Sequence, residues 1–188
     1  MRYIQSLPLI PIFSAILCYC VIWSIRVAIY KPRVSIKREV LKLLFFCYSL
    51  GVLFVTLFPL QYTGEPSINI VPFHSIWSYI IDDKAIVDVS IRNILGNIVI
   101  FIPMGLLLSV LCKNMRVIKL AVVGVLASVS IECIQLVLSV LKITTRVVDV
   151  DDVILNSVGY LTGFAVYYVY NVVWNKIKLC KADHKALD

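Results

Sequence analysis

Three aspartates and an asparagine lie at the start of one apolar stretch, RVVDVDDVILNSVGYLTG. Asp149, Asp151 and Asp152 precede the apolar residues, and Asn156 lies one helical turn inside them. Carboxylate oxygens can accept hydrogen bonds from a ligand or hold a divalent cation such as Mg²⁺, Mn²⁺ or Ca²⁺. Capping of a helix N-terminus accounts for one or two of these aspartates. It does not account for three with an internal asparagine, so we predict a site here.

A second acidic position lies inside another apolar stretch, SVSIECIQLVL. Glu132 is followed three residues later by Gln135, which places both side chains on one face of a helix. A carboxylate within a membrane is costly, whereas an amide makes the same packing hydrogen bond more cheaply. We therefore interpret Glu132 as functional. Gln135 considered alone is typical of helix packing.

A third polar group opens the stretch RNILGNIVIFIPMGLLL. Asn93 and Asn97 are one turn apart, and Gly96 between them is predicted to let a neighbouring helix approach closely. Pro103 lacks an N–H, so with Gly105 after it the pattern predicts a kink. Taken by themselves, this proline and glycine are architectural.

The elements that must position these residues are membrane-spanning helices. Of 188 residues, 61% are hydrophobic and only 15% are charged, and the mean hydropathy of +0.94 excludes an ordinary soluble domain. Apolar stretches long enough to cross a bilayer lie at residues 7–25, 41–60, 94–112, 117–141 and 153–174. We predict an all-α fold, a single membrane domain over residues 1–188 with five transmembrane helices.

The basic residues predict the orientation of these helices. Thirteen of the eighteen lysines and arginines fall on one side when five spans are threaded. The positive-inside rule then places the N-terminus outside and residues 175–188 in the cytoplasm as a basic tail. Because the positive charges lie between spans and are not gathered on one soluble face, the net charge of +7 does not indicate nucleic-acid binding.

With this threading, the three polar groups meet at the outer ends of three different spans. We expect one pocket open to the exterior, lined by Asn93, Asn97, Glu132, Gln135, Asp149, Asp151, Asp152 and Asn156. Arg92 and Arg146 could pair with the carboxylates or hold a phosphate. The segment NIVPFHSIWSYI, residues 69–80, suits the membrane interface, with its aromatic side chains at the level of the lipid headgroups.

Four motifs together resemble the VanZ-like family of bacterial membrane proteins. They are NIVPF at 69–73, NILGNIVIFIPMGLLL at 93–108, IECIQ at 131–135 and RVVDVDDVILNSVGYLTG at 146–163. The resemblance covers about residues 69–163, and Thr145 departs from the glycine expected before the arginine. The residues of this chain that the resemblance matches to the family's motifs are Asn69, Pro72, Phe73, Asn93, Gly96, Asn97, Phe101, Pro103, Gly105, Glu132, Gln135, Arg146, Asp149, Asp151, Asp152, Asn156, Gly159 and Gly163.

The resemblance implies a role in resistance or envelope maintenance in the bacterial cytoplasmic membrane. The founding member of the family is associated with low-level resistance to teicoplanin, a lipid-bearing glycopeptide that acts on cell-wall precursors at the outer face of the membrane. An acidic pocket facing outward is where such an antibiotic, or a lipid-linked wall precursor, would be met.

Several functions remain open on the sequence. The first is a binding protein whose pocket takes a lipid headgroup, a wall precursor or a glycopeptide. The alternative is a metal-dependent membrane enzyme acting on a lipid-linked cell-wall substrate, with a divalent cation on Asp149, Asp151 and Asp152 and with Glu132 and Asp152 as catalytic residues. Transport, with Glu132 as a cation or proton site, ranks last. The helical bundle could also be an assembly factor whose polar groups dock another membrane protein.

Overall fold

The predicted all-α fold is confirmed in the computed structural model, which describes residues 9–30, 35–58, 64, 67–81, 84–113, 115–145 and 147–185. The helices are α1 (Leu9–Tyr30), α2 (Ile36–Leu57), α3 (His74–Ile81), α4 (Lys84–Leu111), α5 (Val117–Val140) and α6 (Val150–Lys185). Two short strands, β1 (Ile68–Asn69) and β2 (Val148–Asp149), complete the described elements.

Four of the described helices are long and apolar enough to cross a membrane. Their candidate spans are Ile36–Leu57, Asn93–Leu111, Val117–Val140 and Val150–Cys180, and each overlaps one of the predicted apolar stretches. The first predicted span falls on α1, and Ser14–Ile29, the part of α1 whose side chains are described, is apolar. Residues 7 and 8 lie outside the described part of the chain. The number of spans and their orientation stay predictions.

Helix α5 illustrates why this sequence suits a membrane. Its serines Ser128 and Ser139 are fully buried, while Ile118, Leu126 and Val137 are each more than half exposed. A helix of a soluble protein shows the opposite arrangement, with its apolar stripe inside. The apolar surface of α5 is therefore suited to lipid, and its small polar side chains to the protein interior.

The chain divides into two compact units, which are described separately. The first unit comprises Met1–Ile70 and Ser130–Asp149, and the second comprises Val71–Val129 and Val150–Asp188. The prediction of a single membrane domain stays a prediction.

In the first unit, a two-residue parallel sheet brings together chain segments far apart in sequence. Ile68 pairs with Val148 and Asn69 with Asp149, and the amide of Val148 donates to the carbonyl of Ser67 at 3.0 Å. This register places the side chains of Asn69 and Asp149 next to each other.

In the second unit, α4 and α6 pack backbone against backbone and run parallel. A Cβ atom on Gly159 would lie 2.0 Å from the carbonyl oxygen of Ile98, and one on Gly163 would lie 1.9 Å from that of Ile102. From Gly159 to Gly163 and from Ile98 to Ile102 the residue number increases by four in both helices. The two helices therefore run in the same direction, with their N-termini at the same end of the pair. Only glycine allows this approach.

The surroundings of the other residues predicted to be architectural differ along α4. Gly105 also lies at the contact, since a Cβ there would be 2.0 Å from the carbonyl oxygen of Tyr160. Around Gly96, no heavy atom of the described residues lies within 4 Å of the position that its Cβ would take. The prediction that Gly96 admits a neighbouring helix stays a prediction. Pro103 lies inside α4, which continues as one helix on both sides of it.

Candidate functional site

The predicted site residues lie in two clusters, one in each unit. The Glu132 cluster, in the first unit, consists of Thr56, Asn69, Glu132, Gln135 and Asp149. The Asp152 cluster, in the second unit, consists of Asn97, Asp151, Asp152 and Asn156. The expectation that one pocket joins all of these residues stays a prediction. Arg146 and the side chain of Arg92 lie outside the described residues, and Asn93 is exposed.

Two buried carboxylates form the centre of the Glu132 cluster. Glu132 is 7% exposed and Asp149 is 6% exposed. The backbone amide of Asp149 donates to Oε2 of Glu132 at 3.3 Å, and Nδ2 of Asn69 donates to Oδ1 of Asp149 at 3.0 Å. The strand register that aligns Asn69 with Asp149 thus also supplies a donor to this carboxylate.

Gln135 connects the same cluster to the end of α2. Its Nε2 donates to the backbone carbonyl of Thr56 at 2.8 Å. Thr56 lies in the last turn of α2, where backbone carbonyls lack an amide donor within the helix. Its Oε1 is buried and has no hydrogen-bond partner. Gln135 is therefore a helix cap on one side and an unsatisfied acceptor on the other.

The Asp152 cluster joins the first turns of α6 to Asn97 on α4, which begins well before it at Lys84. Nδ2 of Asn97 on α4 donates to Oδ1 of Asp152 on α6 at 2.5 Å. Asn156, one turn further along α6, is 2% exposed, and its Oδ1 is buried without a hydrogen-bond partner. Helical side chains lean toward the N-terminus of their helix, so Asn156 leans toward Asp152. The parallel packing of α4 and α6 brings these amides and the carboxylate together.

Asp151 has a different role from its neighbour Asp152. It is 1% exposed, and its carboxylate accepts hydrogen bonds from the backbone amides of Phe73, Ser75 and Ile76 at 2.5, 2.9 and 3.0 Å. These amides belong to the start of α3, so Asp151 caps that helix from α6.

Tyr160 is a buried polar residue that the sequence interpretation missed. It is fully buried, and its hydroxyl has no hydrogen-bond partner. It follows Asn156 by four residues, as Asn156 follows Asp152, so the three side chains share one face of α6. This spacing was visible in the sequence, but it coincides with an apolar stretch in which a tyrosine is ordinary.

Together the clusters favour ligands that donate hydrogen bonds. Carboxylate oxygens accept only, and the two unsatisfied amide oxygens, Oε1 of Gln135 and Oδ1 of Asn156, are acceptors as well. Within the described ranges, no three His, Cys, Asp or Glu side chains are grouped so that they could hold a metal ion.

Comparison with known proteins covers both clusters. The sequence matches the VanZ/LLP1 family over residues 45–172. It is 31% identical over 140 residues to Protein VanZ of Enterococcus faecium, an alignment that covers 70% of this chain and 76% of that protein. No solved structure matches the sequence.

Proposed function

Because the chain belongs to the VanZ/LLP1 family, we propose that it contributes to glycopeptide resistance of the teicoplanin type, or to envelope maintenance, in the bacterial cytoplasmic membrane. It does so by binding a lipid headgroup, a cell-wall precursor or the antibiotic in an acidic pocket that faces the exterior. The family match and the identity to Protein VanZ carry this proposal.

The chemistry of the buried side chains supports binding. Headgroups, wall precursors and glycopeptides all offer hydroxyl, amide or ammonium donors, and both clusters present acceptors. A hydrogen bond to a charged group contributes about 1.5–3 kcal/mol. Loss of one such bond would weaken binding roughly ten- to a hundredfold, at 1.4 kcal/mol for each factor of ten.

The test is antibiotic susceptibility with single substitutions. The chain is expressed in a susceptible Gram-positive strain, and the minimum inhibitory concentration of teicoplanin is measured for the unmodified chain and for Glu132→Gln, Asp152→Asn and Asn156→Ala. We expect the unmodified chain to raise it. We expect Asp152→Asn and Asn156→Ala to reduce the effect, and Glu132→Gln to keep part of it because an amide preserves some of the polar contact.

Glu39→Gln is the matched control. Glu39 is a carboxylate on α2, bonded to Lys42 at 2.6 Å and to Trp23 at 3.0 Å, and it lies outside the family match. Membrane levels of every variant are measured by immunoblotting. A chain that reaches the membrane without changing susceptibility would contradict the resistance proposal, and site variants that behave like Glu39→Gln would contradict the pocket.

The enzyme alternative makes a separate prediction. A cation on Asp149, Asp151 and Asp152 would serve to activate water, with Glu132 as general base, so that a labelled lipid-linked wall precursor would be consumed in a chelator-sensitive reaction. Binding is favoured because both oxygens of Asp151 accept backbone hydrogen bonds in the structure. Turnover by purified, lipid-reconstituted protein that is lost in Glu132→Gln would reverse this preference.

A further inference from the structure

The start of α3 has a backbone conformation that its own sequence does not stabilise. Phe73, the residue before α3, has a φ angle of 65°, which is unfavourable for a bulky L-residue. It also occupies the N-cap position, where Ser, Thr, Asp or Asn usually accept the unpaired amides of the first turn. A phenylalanine side chain cannot accept them.

Asp151 supplies the missing acceptor from α6. Its carboxylate takes the amides of Phe73, Ser75 and Ile76, and the amide of His74 donates to the carbonyl of Val71 at 3.3 Å. All the unpaired amides at this helix end are therefore satisfied. Because Asp151 is a carboxylate at the positive end of α3, the helix dipole adds to the hydrogen bonds.

This conformation leaves large apolar side chains outside the protein. Val71, Phe73 and Trp77 are 57%, 59% and 65% exposed, and the amide of Trp77 donates to the carbonyl of Phe73 at 2.9 Å. The segment from Val71 to Ile81 contains no Asp, Glu, Lys or Arg. The side chains of Ser75, Ile76 and Ser78 on the same helix are half-buried. Large apolar side chains exposed near a capped helix start indicate an interaction site.

The position of α3 identifies what this surface meets. Asp151 is the second residue of the candidate span Val150–Cys180, so the start of α3 is tied to the N-terminal end of that span. Tryptophan is enriched where a membrane protein meets the headgroup layer, because its ring is amphipathic. We propose that Val71, Phe73 and Trp77 form an anchor in the lipid interface, which Asp151 holds in place by capping α3.

Fluorescence quenching tests the anchor directly. Trp23→Phe and Trp174→Phe leave Trp77 as the single tryptophan. The purified protein is reconstituted in phosphatidylcholine vesicles that carry bromine either near the headgroup or near the ends of the acyl chains. We expect stronger quenching by the shallow bromines than by the deep ones. Any of three results would overturn the anchor. They are quenching by aqueous iodide alone, no quenching by either reagent because protein covers Trp77, and stronger quenching by the deep bromines.

The role of Asp151 is tested in the same assay. Asp151→Asn keeps the size of the side chain but removes its charge and one acceptor oxygen, so we expect the difference between shallow and deep quenching to shrink. Glu39→Gln, the same chemical change on α2, should leave it unaltered. An unaltered profile in Asp151→Asn would overturn the capping role.

Hydrogen exchange provides a second measurement that needs no substitution at Asp151. In the unmodified sequence, the amides of Ser75 and Ile76 should exchange slowly, although first-turn amides without a cap exchange freely. Fast exchange at both amides would overturn the capping role even if Asp151→Asn did not fold. None of these readouts depends on antibiotic binding, so this inference and the proposed function can fail separately.

Discussion

A methyl group added to the contact between α4 and α6 should separate the helices. The Cβ of Gly159→Ala would lie 2.0 Å from the carbonyl oxygen of Ile98, and that of Gly163→Ala would lie 1.9 Å from the carbonyl oxygen of Ile102. Contacts shorter than 3.0 Å essentially never occur for real Cβ atoms, so the backbones must move apart by about 1 Å. The obstructing atoms are backbone and cannot rotate away. Overpacking of this kind costs about 1–3 kcal/mol.

Gly96→Ala is the matched control for this substitution. Gly96 lies on α4, and none of the described residues comes within 4 Å of the position of its Cβ, so we expect alanine there to add no clash. In both places alanine is the better helix former, by up to about 1 kcal/mol. The difference between the Gly159→Ala and Gly96→Ala variants therefore isolates the clash.

Reversible unfolding by sodium dodecyl sulfate in mixed micelles measures this difference. We expect Gly159→Ala and Gly163→Ala to be less stable than Gly96→Ala by about 1–3 kcal/mol each. If all three variants unfold at the same detergent fraction, the close parallel packing of α4 and α6 is refuted, and with it the basis for placing Asn97 beside Asp152.

Two further predictions concern the polar residues of α6 and its neighbour. The hydrogen bond between Asn97 and Asp152 should appear as a coupling energy of about 1.5–3 kcal/mol in a double-mutant cycle of the two alanine variants, measured by the same unfolding; additive effects would contradict the contact. Tyr160→Phe should be as stable as the unmodified protein or more stable, because the hydroxyl it removes is buried without a partner, and a loss of more than about 1 kcal/mol would show that the hydroxyl is hydrogen-bonded.

The apolar stretches predicted the helices well, but not their ends. The stretch expected at residues 94–112 belongs to α4, which begins at Lys84, and the stretch at residues 153–174 belongs to α6, which continues to Lys185. The length of an apolar stretch matches the thickness of the hydrocarbon core. A helix can continue beyond that stretch for as long as its backbone hydrogen bonds form. Beyond the apolar part of α6, Lys178 lies over the ring of Trp174, 5.5 Å from its centroid.

The sequence predicted which candidate residues share a helix face, but it did not predict their contacts. Spacing alone placed Asn156 and Asp152 on one face of a helix. It did not reveal that Asp151 caps α3 or that Gln135 caps α2, because these roles depend on which helix ends approach the side chain in space.

The parallel arrangement of α4 and α6 has a consequence for the order of synthesis. The ribosome synthesises all of α5 between α4 and α6. Helix α6 can therefore pack against the backbone of Ile98 and Ile102 only after α5 has been made. Until then, Asn97 is in the translocon or the membrane without the carboxylate of Asp152. A nascent chain that stops before residue 150 leaves the Asn97 amide and the close-packing surface of α4 without their partners on α6.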